Sequence, residues 1–243
     1  MNIYNIINFK QIDSTNAYAK RHIEKLLDKS IISADVQTNG YGRFNRNWVD
    51  LGKENIYMTF VLKPLNKLSE THANLTQYLS VCLCKELEKL GLKGRIKWPN
   101  DVLINGKKVC GILAETVVKG GFLKGIVLGI GINLKASSKG LKEIDRPATA
   151  INLELGKEIN KQEFMKNLID KFFADYEELL KKGFKFIKED YQKRSLLKKD
   201  EQIKLAVFNK ILQGKFKGFD DNGNLLLQPL NENIRLINMG EIV

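Results

Sequence analysis

Residues 97–115 read KWPNDVLINGKKVCGILAE. Two β-like runs, DVLI and KKVCGILAE, flank Asn105-Gly106, the pair that most readily takes the positive φ values of a two-residue hairpin turn. Upstream, RIKW runs into Pro99-Asn100, a turn signal at which Asn100 and Asp101 can bond the backbone. Downstream, Gly120-Gly121 turns the chain again into FLKGIVLGIGINL. Residues 95–134 therefore read as an antiparallel meander. Lys97 falls between Ile96 and Trp98, both expected to point inward. A lysine held there has little freedom and can place its charge on a phosphoryl transition state.

Toward the N-terminus, residues 3–9 and 31–37 read as strands, and ENIYMTFVL (54–62) as a third that ends before Pro64. Asp13 or Ser14 caps a helix of about 15 residues with Ala19, Ile23, Leu26 and Leu27 on one side. Ser69 can cap a long helix that runs to Leu90 and is stopped by Gly91. Toward the C-terminus, Asn160 and Glu163 form a capping box for a helix to about Lys182, closed by Gly183. FKFIKEDYQKR reads as one more short helix. After Ser195 the character changes to short β-like runs: QIKLAVF, KILQGKFKGF, NLLLQPL and IRLINMG. The division is thus 1–195 and 196–243, and the second part, a small barrel, is too short for much of a core and should dock on the first.

The bulk numbers narrow the classes. Of 243 residues 43% are apolar, enough for a core, and no run approaches the roughly 18–20 apolar residues of a membrane span. The first residues carry no signal-peptide pattern, so a cytoplasmic location is expected. Cys82, Cys84 and Cys110 lack zinc spacing and read as buried free thiols. The formal charge is +12, mostly scattered lysine; from Leu196 on, seven basic residues nearly balance six acidic ones. Lysine-rich solvated faces explain most of the excess, and a negatively charged substrate can explain the rest. A nucleic-acid binder using the basic surface and the barrel is a different class of answer, and the barrel's near-neutral balance counts against it.

Three further stretches carry chemistry. NGYGRFNRNW (39–48) follows directly on a strand end. Gly40 and Gly42 allow close approach of the backbone, and Arg43 and Arg46 can each fork onto a phosphate or carboxylate. Trp48 offers a flat face. Alone, this stretch divides evenly between an anion site and an ordinary surface loop. In LGIGINL (128–134), Gly129 and Gly131 mark either a bulge or close ligand approach, with Asn133 as a polar contact. In DSTN (13–16), Ser14, Thr15 and Asn16 cap a helix and, with Gln37, can hold a small polar head group. His22 and His72 have no nucleophile partners and receive no role.

Taken together, DSTN at Asp13, QTNGYGRFNRNW at Gln37, KWPND at Lys97, KVCGILAE at Lys108 and GIGIN at Gly129 resemble the biotin–protein ligases over nearly the whole chain. The family's loop is Q-x-x-G-R-G-R-x-G-R-x-W; here Tyr41 stands at its first arginine and Asn45 at the glycine before its last. The resemblance implies an α+β fold: a class II aminoacyl-tRNA synthetase-like mixed sheet with helices, plus a small C-terminal SH3-like β-barrel. It implies ATP-dependent activation of biotin to biotinyl-AMP with Mg2+, then transfer to a lysine of a biotin carboxyl carrier protein. Lys97 and Arg43 are the implied catalytic residues. Ser14, Thr15, Asn16, Gln37, Gly40, Tyr41, Gly42, Arg43, Lys97, Gly111 and Ile112 fall on the implied biotin side. Arg43, Arg46, Trp48, Lys97, Asn100, Gly129, Gly131 and Asn133 fall on the implied ATP side, and no residue is assigned to a metal. No helix-turn-helix pattern precedes DSTN, so the expectation is a ligase without repressor function and without a nucleic-acid or membrane partner. Strands near 107–134 can pair across a two-fold, so a homodimer is compatible with the sequence and not required by it. Lipoate ligases and octanoyltransferases share the core fold and are the nearest rival reading.

Overall fold

The computed structural model describes residues 4–63, 74–137 and 139–243; the expected cap at Ser69, the strand stop at Pro64 and His72 lie outside them. Seven strands form one mixed sheet: β1 (Asn5–Ile12), β2 (Ser30–Gln37), β3 (Ile56–Leu62), β4 (Arg95–Lys97), β5 (Asp101–Ile104), β6 (Lys107–Lys119) and β7 (Phe122–Ile132), in the order β1-β2-β3-β7-β6-β5-β4. Only β1 and β2 are parallel, joined across the sheet face by helix α1 (Thr15–His22). The meander β4 to β7 is fully antiparallel, and Asn105 (φ 49°) and Gly106 (φ 76°) make its hairpin turn.

Strand β3 explains why the sheet is layered. It lies between β2 and β7, and all seven of its residues are buried. Its alternate side chains feed two cores. Val61 packs on the α1 side with Ala19, Ile23, Leu26, Ile32 and Val127. Met58, Phe60 and Leu62 pack on the other side against α2 (Leu75–Lys89) and α4 (Lys161–Ala174), where Phe60, Tyr78, Phe172 and Phe173 form an aromatic cluster. A strand covered on both faces reads as a near-continuous apolar run, as IYMTFVL does. The exception, Thr59, faces α1 and is hydrogen-bonded there.

Several expected boundaries shift. Ser14 is the α1 cap, its hydroxyl accepting from the Ala17 amide at 3.4 Å. The helix, however, has eight residues rather than about 15, and Leu27 is 69% exposed. Lys25 and Leu26 both donate to the His22 carbonyl in a tight turn, and Lys29 adopts φ 61° to start β2. Tertiary packing of Ile23 and Leu26 thus survives while the helical periodicity ends, because the chain must reverse to run parallel to β1. Gly91 stops α2 as expected: at φ 81° its amide donates to Glu88, and Leu92 donates back to Leu87, a Schellman closure. Asn160 caps α4 through the Glu163 amide. The single helix expected to Lys182 is instead broken at Asp175 into α4 and α5 (Tyr176–Lys182); α3 (Ile151–Leu155) and α6 (Lys188–Arg194) complete the set. The three cysteines are buried free thiols, and burial pushes Cys82 and Cys84 up to about 12.

The C-terminal residues form an antiparallel sheet of five strands: β8 (Gln202–Val207), β9 (Lys210–Phe219), β10 (Leu225–Gln228), β11 (Arg235–Ile237) and β12 (Glu241–Ile242), ordered β11-β10-β9-β8-β12. Its apolar face is continuous with the main core through Phe184, Tyr191, Phe216 and Phe219. Gln77 donates to the Gly223 carbonyl at 3.0 Å, and Leu196 to that of Ile96 at 2.9 Å. A sheet this small gains stability chiefly by sharing a larger core.

Candidate functional site

The site lies on the α1 face of the sheet. In the register, Thr59 of β3 pairs with Gly129 of β7, which pairs with Leu113 of β6; Gly131 pairs with both Tyr57 and Gly111. These residues share one face, so three of them present no side chain there. A Cβ at Gly129 would sit 2.2 Å from Asn16 Oδ1, and Cβ atoms at Gly131 and Gly111 would sit 2.5 and 2.8 Å from the Trp48 ring. The glycines are therefore a floor for close approach. They are not a bulge: the register is unbroken there and shifts only between Val117 and Val118.

At one end of the floor the first turn of α1 presents Ser14, Thr15 and Asn16, each no more than 5% exposed. The Thr15 amide and hydroxyl both donate to Gln37 Oε1, at 2.8 and 3.1 Å. The Gln37 amide donates to Asp50 at 2.6 Å, and Asp50 also accepts from Tyr57 and Gly52. These bonds fix the strand end before the loop begins.

Residues 40–48 fold as a hairpin rather than an open loop. Tyr41 bridges Asn47, the Gly42 amide donates to Arg46, and Trp48 donates to Gly40. Phe44 and Asn45 take positive φ at the tip, 58° and 54°. Asparagine tolerates the left-handed region far better than most residues, which explains how Asn45 stands where the family pattern has glycine. The hairpin carries Trp48 onto the glycine floor, with Lys108 Nζ 5.3 Å from its ring and the indole N–H buried without a partner. Trp48 thus packs on the sheet itself.

At the other end lie the charges. Lys97 lines the pocket and makes no ion pair among the described residues; its neighbours Ile96 and Trp98 are buried, as their alternation required. Arg43 donates to the Gly240 carbonyl at 2.9 Å and approaches Asn100 Oδ1 at 3.4 Å. Burial pulls its guanidinium below the ordinary value, with Glu241 and Asp101 opposing; it remains a cation at any working pH. Arg46 and Arg146 both pair with Glu241, at 2.7 and 2.8 Å. Lys108 pairs with Asp101 at 2.8 Å. The lining therefore holds five cations, Arg43, Arg46, Lys97, Lys108 and Arg146, against two carboxylates, Asp101 and Glu241. Such a cleft focuses potential on an anionic ligand.

All the sequence-selected residues except Gly40 line this one pocket. Gly40 is buried beneath it: a Cβ there would meet Gln37 Nε2 at 2.8 Å, so it packs the hairpin stem. Asn100 has the turn role its position indicated, exchanging bonds with Ile112 at 2.8 and 3.0 Å, while its side-chain oxygen faces Arg43. Asn133 is buried and ties the end of β7 to the Thr149 carbonyl. Sequence reading missed Thr59, Arg146 and Glu241. Thr59 could have been found as the one polar residue inside an apolar strand; Arg146 and Glu241 sit in stretches with no local signal.

The model of the biotin/lipoate A/B protein ligase family matches residues 8–133, and that of the biotin protein ligase C-terminal domain matches residues 200–243. The chain belongs to the biotin/lipoate A/B protein ligase family. It is 33% identical to the biotin–[acetyl-CoA-carboxylase] ligase of Paracoccus denitrificans over 224 residues, 89% of this chain and 91% of that one. It is 31% identical to the bifunctional ligase/repressor BirA of Bacillus subtilis over 88% of this chain; there it spans 65% of the relative's length. Among solved structures, the biotin protein ligase of Aquifex aeolicus in complex with biotin and ATP superposes with a TM-score of 0.82 at 27% identity, covering 98% of this chain and 97% of that one. The α+β architecture expected for the family, a large mixed sheet followed by a C-terminal antiparallel sheet, is the one found.

Proposed function

We propose that this protein is an ATP-dependent biotin–protein ligase that works in two steps. The observation that carries the reading is the convergence, in one pocket, of a prebuilt polar end (Ser14, Thr15, Gln37) and an arginine- and lysine-rich end that includes Lys97, which makes no ion pair among the described residues. The ureido ring of biotin meets the first, and its carboxylate points along the glycine floor toward the second. The physical problem is repulsion between a carboxylate and a triphosphate, with charge growing on the α-phosphate. Lys97 bridges the biotin carboxylate and the α-phosphate at the bond-forming centre, Arg43 clamps the same region and Arg46 takes the β- and γ-phosphates. The carboxylate oxygen bonds to α-phosphorus, pyrophosphate leaves, and biotinyl-AMP is retained beneath the hairpin, away from water. In the second step the neutral ε-amine of a lysine on a biotin carboxyl carrier protein attacks the acyl carbon, AMP leaves, and the amine loses a proton.

Among the described residues no group of three His, Cys, Asp or Glu side chains could hold a metal ion. Magnesium is accordingly read as part of the substrate, arriving on the triphosphate, the usual binding mode of this ion. Residues 1–195 are assigned the chemistry and 196–243 the support of the hairpin, through the Gly240 carbonyl. Trp48, with Gly129, Gly131 and Asn133, is assigned to the adenine side, reached once the indole shifts from the floor.

The test is to mix the protein with biotin and MgATP and to follow biotinyl-AMP and biotin-dependent exchange of pyrophosphate into ATP. Both are expected. Exchange supported by lipoate or octanoate and not by biotin overturns the substrate assignment in favour of the lipoate branch of the family, and no exchange with any of the three overturns the reading.

A further inference from the structure

Tyr41 departs from the arginine of the family pattern, and its hydroxyl is not free. It donates to Glu115 Oε2 at 2.9 Å, on the strand that walls the pocket. Glu115 also receives the Lys20 ammonium at 2.6 Å and Asn16 Nδ2 at 3.0 Å. The Asn16 side-chain oxygen accepts from Thr59 at 2.6 Å, Thr59 lies 2.9 Å from the Thr15 hydroxyl, and Thr15 donates to Gln37. One hydrogen-bonded chain thus runs from the hairpin to the head-group end of the pocket. We propose that Tyr41 is a positioning residue: through Glu115 it latches the 40–48 hairpin over the pocket and couples hairpin closure to the residues that receive the substrate's polar head. The consequence for catalysis rests on the biotin-ligase reading; the latch itself does not.

Three points favour a latch over incidental packing. First, the acceptor is a carboxylate, and hydrogen bonds to charged groups are the strong ones. Second, Tyr41 is a neutral donor: burial, with Glu115 adding, holds its phenol above the ordinary value against the opposing Lys20 contact. Lys20 already supplies the cation, 5.3 Å from the Tyr41 ring centre. An arginine at position 41 would set a second cation beside Lys20, so Tyr41 and Lys20 suit each other. Third, the rest of the hairpin is tied to the opposite wall by Arg43 and Arg46. Tyr41 is the tie on the head-group side, where no charged ligand atom could replace it.

The hairpin contains its own reporters, since trypsin cuts after Arg43 and Arg46 only if it opens. In the ligand-free full chain, Tyr41→Phe removes the donor and keeps the ring, and Glu115 retains Lys20 and Asn16, so the fold has no orphaned charge. Cleavage at these two bonds, read by mass spectrometry, is expected to accelerate roughly tenfold, the loss of one charge-assisted bond, with other bonds cut at the parental rate. In turnover the loss falls on KM for biotin rather than on kcat. Tyr41→Arg is expected to open the hairpin similarly, and Lys20→Met in that background to close it again, a rescue that simple packing does not give. Parental cleavage rates in Tyr41→Phe, acceleration spread over the whole chain, or no rescue in the double variant each overturn the latch. If the hairpin opens as expected but biotin protects neither parent nor variant, the latch stands and the biotin reading falls.

Discussion

The two ends of the pocket are built on different principles. The head-group end is buried and neutral, and its hydrogen bonds are internal: Ser14, Thr15 and Asn16 are at most 5% exposed and linked through Thr59 and Gln37. The arginine end is partly exposed, and its cations are already engaged by Gly240 and Glu241 of the C-terminal sheet. The first end is preorganised and loses little order on binding. On the proposed function the second must exchange partners, giving up a carboxylate and a carbonyl to receive a triphosphate. A neutral ligand group rewards a rigid receptor, whereas a highly charged one needs its cations kept from premature contacts with solvent or with each other.

The largest expected effect falls at the charged end. Lys97→Ala removes a pocket-lining cation that makes no ion pair among the described residues, and pyrophosphate exchange is expected to fall by roughly 10²–10³ with the circular dichroism melt unchanged. Normal exchange by this variant would remove Lys97 from the bond-forming centre. Gly129→Ala attacks the rigid end: its methyl would sit 2.2 Å from Asn16 Oδ1. About 1–3 kcal/mol of stability should be lost, and biotin binding should weaken in calorimetry with ATP affinity less affected. Equal weakening of both would show that the ends are not independent. Arg43→Gly opens the exchanging end: labelled biotinyl-AMP should escape after gel filtration while the parent retains it, and equal retention would remove the hairpin from water exclusion.

Smaller effects test the exchange itself. Burial pushes the Glu241 carboxyl up, but hydrogen bonds from Arg46 and Arg146 outweigh it and hold the group below its ordinary value of 4.5. A carboxyl depressed in the folded state contributes stability that is present above the unfolded value and is lost as pH falls through the folded one. The Glu241 junction should therefore loosen only below pH 4.5, with release of Arg46 and Arg146 visible in proteolysis. Glu241→Gln should mimic that release at neutral pH. Arg46 and Arg146 are about half exposed, so the melting temperature should shift by a few degrees at most. KM for ATP should drop, since one competitor for the triphosphate is gone. A rise in KM would make Glu241 a required support and not a competitor.

Much of this was legible before any coordinates. Asn105-Gly106 could hardly be anything but a hairpin, and Asn160 three residues before Glu163 could hardly be anything but a cap; both signals are local in chain and in cause. The site was legible for the same reason: DSTN, the 39–48 stretch, KWPND and GIGIN each carry their chemistry within a few residues. What escaped depends on distant contacts. Leu27 belongs to the helical period of α1, but the return to a parallel β2 ends the helix first. The helix from Lys161 breaks at Asp175 without a glycine or proline. The two-residue strand β12 exists only because β8 lies beside it, and Glu241 on that strand meets Arg46 across 195 positions of sequence.

The glycine floor has a consequence for inhibitor resistance. A molecule that fills the space above Gly111, Gly129 and Gly131 rests on backbone, and backbone cannot be mutated away. Enlarging Gly129 drives a Cβ into Asn16 before it reaches the drug. Escape variants should therefore concentrate on the far rim, at Ile144, Arg146 and Ala148, where side chains line the pocket without supporting its base.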